Sequence, residues 1–413
     1  MYVMALNCGS ATLKYQIFDA VSKQVVVGGG VDKIGLPNPD ISQKYPDGRK
    51  EHHPCEAKNH NEALDHIISL LKKTGFDVSS IGAVGHRVVQ GGEKYKNSVE
   101  IDDAVVKTID ELSVLAPLHN HANLMGIVTA RQHLPNARQV AVFDTAFHQT
   151  MPDYAYRYAV PAAWYRELGV RKYGFHGTSH LYVSKRAAKI LGKSARECNV
   201  ISMHIGSGAS ACAIKNGLSI DTSMGMTPLS GLTMGTRTGD IDPGVVLYVM
   251  DRLGFGTKEM QTWMNKSSGH LGITECFSDR RELENNKDKN DFCKLALAME
   301  AANARKYIGA YLAELGHADA LVFTAGVGEN DYYLREKMCE GLEDLGIKMD
   351  KAANNMASPK EFGSGETILS APDSKTKIMM IPTNEELVIV EDTIAIINGT
   401  YKPDHLEMSY SFA

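Results

Sequence analysis

Apolar and polar positions alternate from the first residues of the chain. Residues 3–6 and 13–18 read as strands flanking a polar turn, and residues 24–27 as a third strand that closes on Gly28-Gly29-Gly30. This predicts an antiparallel opening. Leu64, Ile67, Ile68 and Leu71 then fall on one face of a helix stopped near Gly75, followed by a strand ending at Gly85-His86-Arg87. Residues 140–143 form a buried strand ending at Asp144. The opening pattern recurs near Asn199: a strand over 200–205, a tight turn at Gly206-Ser207-Gly208, a strand over 209–214, and the hairpin signal Asn216-Gly217 leading into 218–221. Strand, Gly/Ser turn, strand, turn, strand thus occurs twice, which suggests a duplicated domain. Further on the pattern predicts a helix over about 291–315, a strand over 321–324, a glycine turn at Gly326-Val327-Gly328 and a helix over 333–345. A strand over 377–381 runs into Pro382-Thr383-Asn384-Glu385-Glu386 and a last helix from about Leu387. The repeat places a domain boundary near 150 and a return crossing near 382, giving one domain of 1–150 plus 383–413 and another of 151–382.

Composition narrows the class. The 413 residues are 43% hydrophobic and 23% charged, with 44 Lys+Arg against 49 Asp+Glu, as in an ordinary soluble globular protein of two or three domains. A net charge of −5 without a basic block gives no nucleic-acid or anionic-membrane partner. No apolar run approaches the ~20 residues of a membrane span. The N-terminus turns polar at Asn7, without the charged n-region and apolar core of a signal peptide. The cysteines at 8, 55, 198, 212, 276, 293 and 339 are odd in number and contain no Cys-x-x-Cys pair, so the reading is a reducing cytoplasm.

Two local patterns are set aside. His52, His53, Cys55 and His60 match no standard zinc spacing, and the flanking Glu51, Glu56 and Lys58 read as a solvated loop. Gly192-Lys193-Ser194 imitates the end of a P-loop, but Ala187 stands where its first glycine belongs and the segment follows a helix.

Four Gly-rich polar turns carry more weight: Asn7-Cys8-Gly9-Ser10-Ala11-Thr12, Gly206-Ser207-Gly208-Ala209-Ser210, residues 231–239, and Gly326-Val327-Gly328-Glu329-Asn330. Glycine lets main-chain N–H groups approach an anion and hydroxyls add donors, so such turns can cradle phosphates. Phosphoryl transfer also needs positive charge on the transferring group, a carboxylate-held metal and an oriented acceptor. Arg87, Arg237 and Lys14 can supply charge, and Asp144 and Glu385, at strand ends, can position metal or acceptor. His119 in Ala-Pro-Leu-His-Asn and His176 in Tyr-Gly-Phe-His-Gly-Thr-Ser-His combine an imidazole with apolar and turn residues, as a small-substrate pocket requires.

These motifs then align with a known family. Asn7-Cys8-Gly9-Ser10, Gly85-His86-Arg87-Val88-Val89, Ala116-Pro117-Leu118-His119-Asn120, Phe143-Asp144-Thr145-Ala146-Phe147-His148, Tyr173-Gly174-Phe175-His176-Gly177-Thr178-Ser179-His180 and Gly235-Thr236-Arg237-Thr238-Gly239-Asp240 stand in the order and spacing of acetate kinases. Thr324-Ala325-Gly326-Val327-Gly328-Glu329-Asn330 and Thr383-Asn384-Glu385-Glu386 extend the resemblance from end to end.

The resemblance implies the acetate and sugar kinase/actin superfamily: a duplicated actin-like (ribonuclease H-like) two-domain α/β fold with an interdomain cleft, in a homodimer. It implies reversible transfer of the ATP γ-phosphoryl group to acetate, with Mg2+ or Mn2+. Carried over by motif, Asn7 and Glu385 are the metal positions, Arg87 and Arg237 the substrate and transition-state arginines, Asp144 the essential aspartate, His176 the transition-state histidine and His119 a further active-site histidine. Val89, Leu118, Phe175 and Pro228 match the apolar acetate pocket. The nucleotide and phosphate positions are Ser10, Thr12, Lys14, His204, Ile205, Gly206, Ser207, Gly208, Ala209, Asp279, Arg280, Arg281, Gly326, Val327, Gly328, Glu329 and Asn330. The chain departs from the family in Ser207 for a usual Asn, in Ala11-Thr12 for a Ser pair and in Gln90 for a His; the first touches the donor site and opens diphosphate as a donor. Propionate kinase is the neighbouring alternative, and an actin-like, nucleotide-driven binding protein the alternative outside catalysis.

Overall fold

The computed structural model describes residues 1–116, 119–357 and 365–413. The chain divides into two compact units, residues 1–149 with 384–411 and residues 150–383 with 412–413.

The first unit is built on a sheet of β1 (Tyr2–Gly9), β2 (Thr12–Asp19), β3 (Val25–Asp32), β4 (Asp40–Lys44), β5 (Lys50–Pro54), β6 (Ile81–Val88), β7 (Val99–Glu100) and β8 (Arg138–Phe143), in the order β5-β4-β3-β2-β1-β6-β8-β7. β1 through β5 run antiparallel in sequence, while β6 pairs parallel with β1 and β8 parallel with β6. Both faces of β1 are covered, which explains its unbroken apolar run. Met4, Leu6 and Cys8 join Leu64, Ile67 and Leu71 of the helix His60–Lys73 on one face; Val3 and Ala5 join Ile389, Val390 and Ile394 of the helix Glu385–Ile397 on the other. That last helix seats closely on β6. A Cβ at Gly85 would lie 2.6 Å from Ile389 Cγ2 and 2.4 Å from Thr393 Oγ1, so the approach depends on glycine.

The second unit contains β9 (Val200–Ile205), β10 (Ala209–Lys215), β11 (Leu218–Thr222), β12 (Ala320–Thr324), β13 (Thr367–Ile368) and β14 (Lys377–Met380), in the order β11-β10-β9-β12-β14-β13. β9 pairs antiparallel with β10 and parallel with β12, which pairs parallel with β14. An antiparallel meander followed by two parallel strands therefore repeats in the same spatial order in both units, as a duplicated fold requires.

Four local expectations are corrected. β3 does not close on Gly28-Gly29-Gly30 but runs through it, because Gly28 and Gly30 pair with Gln16 and Lys14 on one side and with Lys44 and Ser42 on the other. The polar stretch holding His52 and His53 is the hairpin β4–β5 about Pro46-Asp47-Gly48, not a loop; His52 pairs with Asp40 at 3.2 Å, and His60 bonds the Gly9 carbonyl at 2.7 Å. Gly326-Val327-Gly328 forms a short helix, Ala325–Asn330, and the helix expected over 333–345 is Tyr332–Cys339, cut short before Gly341, whose φ is +81°.

Candidate active site

The parallel pairing of β6 and β8 brings Arg87 and Asp144 to neighbouring strand ends, where open α/β sheets bind ligands. Arg87 Nε donates to Asp144 Oδ1 at 2.9 Å and Nη2 to Oδ2 at 2.7 Å, a bidentate pair. The first turn of the helix Glu385–Ile397 adds Glu385, with Oε2 3.7 Å from Arg87 Nε. Burial works against the Arg87 charge, but Asp144 and then Glu385 outweigh it and hold the guanidinium protonated. Burial raises the Asp144 carboxyl, while Arg87 and, more weakly, His119 pull against that shift. Asn7, Lys14, Arg87, Glu385 and Glu386 line one cavity of about 470 Å³ in this unit.

Side-chain amides fix the loop after β6. Asn123 Oδ1 accepts from the Val89 N–H at 3.0 Å while its Nδ2 donates to the Cys8 carbonyl, and Asn120 bonds both backbone groups of Gln90. His119 caps the helix Asn120–His133, which carries both amides. Val89 is buried; Ser10 is exposed and Thr12 half-buried in the β1–β2 turn. Leu118 lies outside the described residues.

In the second unit the residue before the helix Gly177–Ile190 is His176, at φ +57° and ψ +28°. A histidine held in the left-handed region is uncommon and is tolerated where its direction matters. Its Nδ1 lies 2.8 Å from Ser210 Oγ, which lies 2.8 Å from His180 Nε2, and His180 Nδ1 is 2.9 Å from Ser202 Oγ. The His176 ring stacks on His204 at 4.0 Å between centroids, and His204 Nδ1 reaches Ser179 Oγ at 2.8 Å. The turn from β9 to β10 comes against this group. A Cβ at Gly208 would stand 2.8 Å from Arg237 Nη2 and 3.6 Å from His176 Cε1, so only glycine lets the turn approach the two. Arg237 Nη1 donates to the Pro228 carbonyl at 2.6 Å, and burial lowers its pKa. Ile205 and Phe175 are buried, whereas Ser207 is exposed at the tip of the turn.

The remaining positions form two helix starts. Asp279 caps the helix Arg280–Asn286 and pairs with the exposed Arg281 at 2.5 Å. Arg280 points the other way. It is buried at ion-pair distance from Glu300 (2.9 Å), Glu284 (3.1 Å) and Asp331 (3.2 Å). Gly326, Val327, Gly328, Glu329 and Asn330 lie in the helix Ala325–Asn330, where Glu329 accepts from the Thr383 N–H at 3.1 Å and burial raises its carboxyl. Arg280 and Asp331 thus tie the start of the first helix to the end of the second. Ser210, His180, Asn123 and Glu386 are additions that single-residue reading did not select. His180 had a signal, since it stands in the same motif as His176 and only four positions after it.

A strand-end arginine locked to a carboxylate in one repeat, and a glycine turn against a histidine–arginine pair in the other, define a phosphotransferase of duplicated α/β architecture. Residues 2–391 match the acetokinase family. An acetate kinase of Geobacter sulfurreducens is 49% identical over 418 residues, covering 100% of this chain and 98% of that protein. The crystal structure of Porphyromonas gingivalis acetate kinase superposes with a TM-score of 0.89 at 45% identity, covering 96% of this chain and 99% of that one. A propionate kinase from Francisella tularensis superposes with a TM-score of 0.88 at 39% identity, covering 95% and 98%. The chain belongs to the acetokinase family, enzymes that transfer a phosphoryl group to a carboxylate. A purely nucleotide-driven binding protein is thereby set aside. Among the described residues no helix is long and apolar enough to cross a membrane.

Proposed function

We propose that this chain transfers the γ-phosphoryl group of ATP to acetate, reversibly, giving acetyl phosphate and ADP. The observation that carries the reading is the contrast in charge between Arg87, held by Asp144 and Glu385, and Arg237, which has the Pro228 carbonyl instead of a carboxylate. The acceptor carboxylate, with a pKa near ~4–5, is ionised at neutral pH and needs orientation rather than a base. Its oxygen forms the new bond to phosphorus as the bond from phosphorus to the ADP oxygen breaks, in line, without an enzyme nucleophile. Arg87, oriented by Asp144, directs the acetate; Val89, Leu118, Phe175 and Pro228 are the apolar positions that the family resemblance gives to its methyl group. Arg237 and His176 meet the charge that develops on the transferring oxygens, and the chain through Ser210 and His180 orients the His176 ring.

The donor phosphates fall to the residues around Gly206, Ser207, Gly208 and Ala209, with Ser10, Thr12, Lys14, His204 and Ile205. Asp279, Arg281 and the helix Ala325–Asn330 serve the nucleotide; the buried Arg280, paired with Asp331 at the end of that helix, holds the two elements together and faces away from the ligand. Asn7 and Glu385 offer hard oxygen donors only, since the Cys8 thiol packs against Gly126 in the core, and this donor set fits Mg2+ or Mn2+. When bound, the ion neutralises charge on the donor phosphates.

A homodimer in the cytoplasm completes the reading. The helix Pro243–Leu253 has no buried residue, and Val245, Leu247, Tyr248 and Leu253 stand exposed on it; Phe292, Leu295 and Met299 form an exposed stripe at helical spacing on Asp291–Leu315. Apolar faces of this kind mark association surfaces. The test is a donor-by-acceptor matrix with ATP or diphosphate against acetate, propionate and butyrate, with and without chelator. ATP with acetate and Mg2+ should give the highest kcat/KM. A preference for propionate would move the chain to its neighbour in the family, and a preference for diphosphate would overturn the donor assignment and make Ser207 part of an altered site.

A further inference from the structure

The cavity that holds Asn7, Arg87 and Glu385 does not end there. It extends across the sheet to β5, and its further walls are Lys44, Lys50, Ser42, His52 and Tyr45, none of which the phosphoryl-transfer reading uses. Strand register gives it a floor. One cross-strand row runs Asn7, Lys14, Gly30, Ser42, His52, and the next runs Ala5, Gln16, Gly28, Lys44, Lys50. Side chains in one such row share a face of the sheet. Gly30 and Gly28, at the middle of the rows, leave the floor without side chains. Neighbouring strands are about 4.8 Å apart, so β2 to β4 spans about 10 Å and β1 to β5 about 19 Å.

The walls carry Lys14, Lys44 and Lys50; Lys14 lies near enough to Glu386 to act on its carboxyl, while Lys44 and Lys50 stand further along the trough. Among the described residues Lys14, Lys44 and Lys50 have neither a hydrogen bond nor an ion pair with a carboxylate. Lysines on a sheet edge are ordinarily solvated, but here they stand on the same face over a glycine floor. Carboxylates lie at the margins: Asp32 a row away opposite Thr12, Asp40 paired with His52, and Glu385 and Glu386 at the Arg87 end. The middle of the trough therefore has positive charge over a glycine floor bordered by the Gln16 and Lys14 side chains. A single small anion would leave most of that charge unmatched across some 10 Å. A chain of phosphates matches the spacing of the lysines in length.

We propose that this trough is a binding subsite for a linear phosphate chain of about two to three phosphoryl groups, lying over Gly28 and Gly30 against Lys44 and Lys50, with its inner end next to Lys14, which the proposed function gives to the donor phosphates. The subsite abuts Asn7 and Arg87, so it deepens the phosphotransferase reading; its occupant would bind beside the reacting groups without using the Gly206 turn. Inorganic tripolyphosphate is the probe. Calorimetry on the full chain with saturating ADP should show tripolyphosphate binding, about ten-fold weaker in a Lys44→Gln/Lys50→Gln variant and unchanged in a Lys72→Gln/Lys73→Gln variant, which removes the same charge from the helix His60–Lys73. Both altered pairs are solvent-facing, so matched thermal midpoints should accompany these results, and kcat for ATP with acetate should change by less than about two-fold. Equal binding by wild type and Lys44→Gln/Lys50→Gln, equal weakening in both variants, or no binding at all would overturn the subsite. So would citrate binding as tightly as tripolyphosphate, because the chain of phosphates would then not be what is recognised. Binding without acetate phosphorylation would count against the proposed function alone, and acetate phosphorylation without binding against the subsite alone.

Discussion

The two arginines of the candidate site live in opposite surroundings. Arg87 is clamped by two hydrogen bonds to Asp144 with Glu385 beside it, and these carboxylates raise its pKa against burial. Arg237 is half-buried too, but against a carbonyl oxygen and the Gly208 turn, and its pKa is lowered. A guanidinium neutralised by its own protein is fixed in direction and has little charge left to give; one buried without a counter-ion is costly until an anion arrives. Under the proposed function, this difference suits Arg87 to orienting the acceptor and Arg237 to the charge that develops during transfer.

The largest effect should therefore come from Arg237→Ala. Turnover should fall by about 10³-fold, the scale for losing a transition-state arginine, while the free energy of unfolding changes by less than about 1 kcal/mol because no ion pair is broken. Arg237→Lys, which keeps charge but loses the planar fork, should fall between. Steady-state kinetics and urea unfolding on both variants decide it, and turnover within ten-fold of wild type for Arg237→Ala would sink the assignment.

Asp144→Asn should reverse that balance. Removing one partner of a buried pair should cost about 3 kcal/mol of stability, and turnover should fall by about 10²-fold as Arg87 loses its fixed direction. If the variant is as stable as wild type, Arg87 is held by Glu385 and not by Asp144.

The same contrast explains what could be read from the chain. Strands β1, β2, β9 and β10 and the turns between them were legible because apolar alternation and Gly/Ser signals agree there. The hairpin β4–β5 was not, since β5 has no buried residue and so no alternation; Pro46-Asp47-Gly48 was its only cue. Gly28-Gly29-Gly30 reads locally as a stop, and only pairing on both sides carries the strand through it. Asp279-Arg280-Arg281 shows a third limit. Neighbouring arginines on a helix start point about 100° apart, so one turns to Glu300 and the other to solvent, and composition cannot say which. Nor did the apolar pattern of the last helix reveal that Glu391 and Asp392 lie buried within it.

Asp392 supplies the smallest and sharpest test, because it is a buried carboxylate without the guanidinium that Asp144 has. Its oxygens accept from Ser98 Oγ at 2.6 Å and from the Tyr410 hydroxyl at 2.8 Å, and Tyr401 and Glu391 complete its surroundings. Burial outweighs both hydrogen bonds and pushes its pKa up to about 6. In the unfolded chain an aspartate titrates near ~3.9, so between about pH 4 and 6 the folded state holds more protons than the unfolded state, and stability falls as pH rises. The contribution is fully present below about pH 4 and lost above about pH 6, and a shift of this size is worth up to about 3 kcal/mol. Asp392→Asn should remove it, since an amide does not titrate and the two hydroxyls can rotate to accept from its N–H groups. Urea unfolding at pH 4.5 and 7.5 should show the variant gaining on wild type at the higher pH; a stability difference independent of pH would mean that the carboxylate is ionised throughout and that Ser98 and Tyr410 suffice where Asp144 needs an arginine.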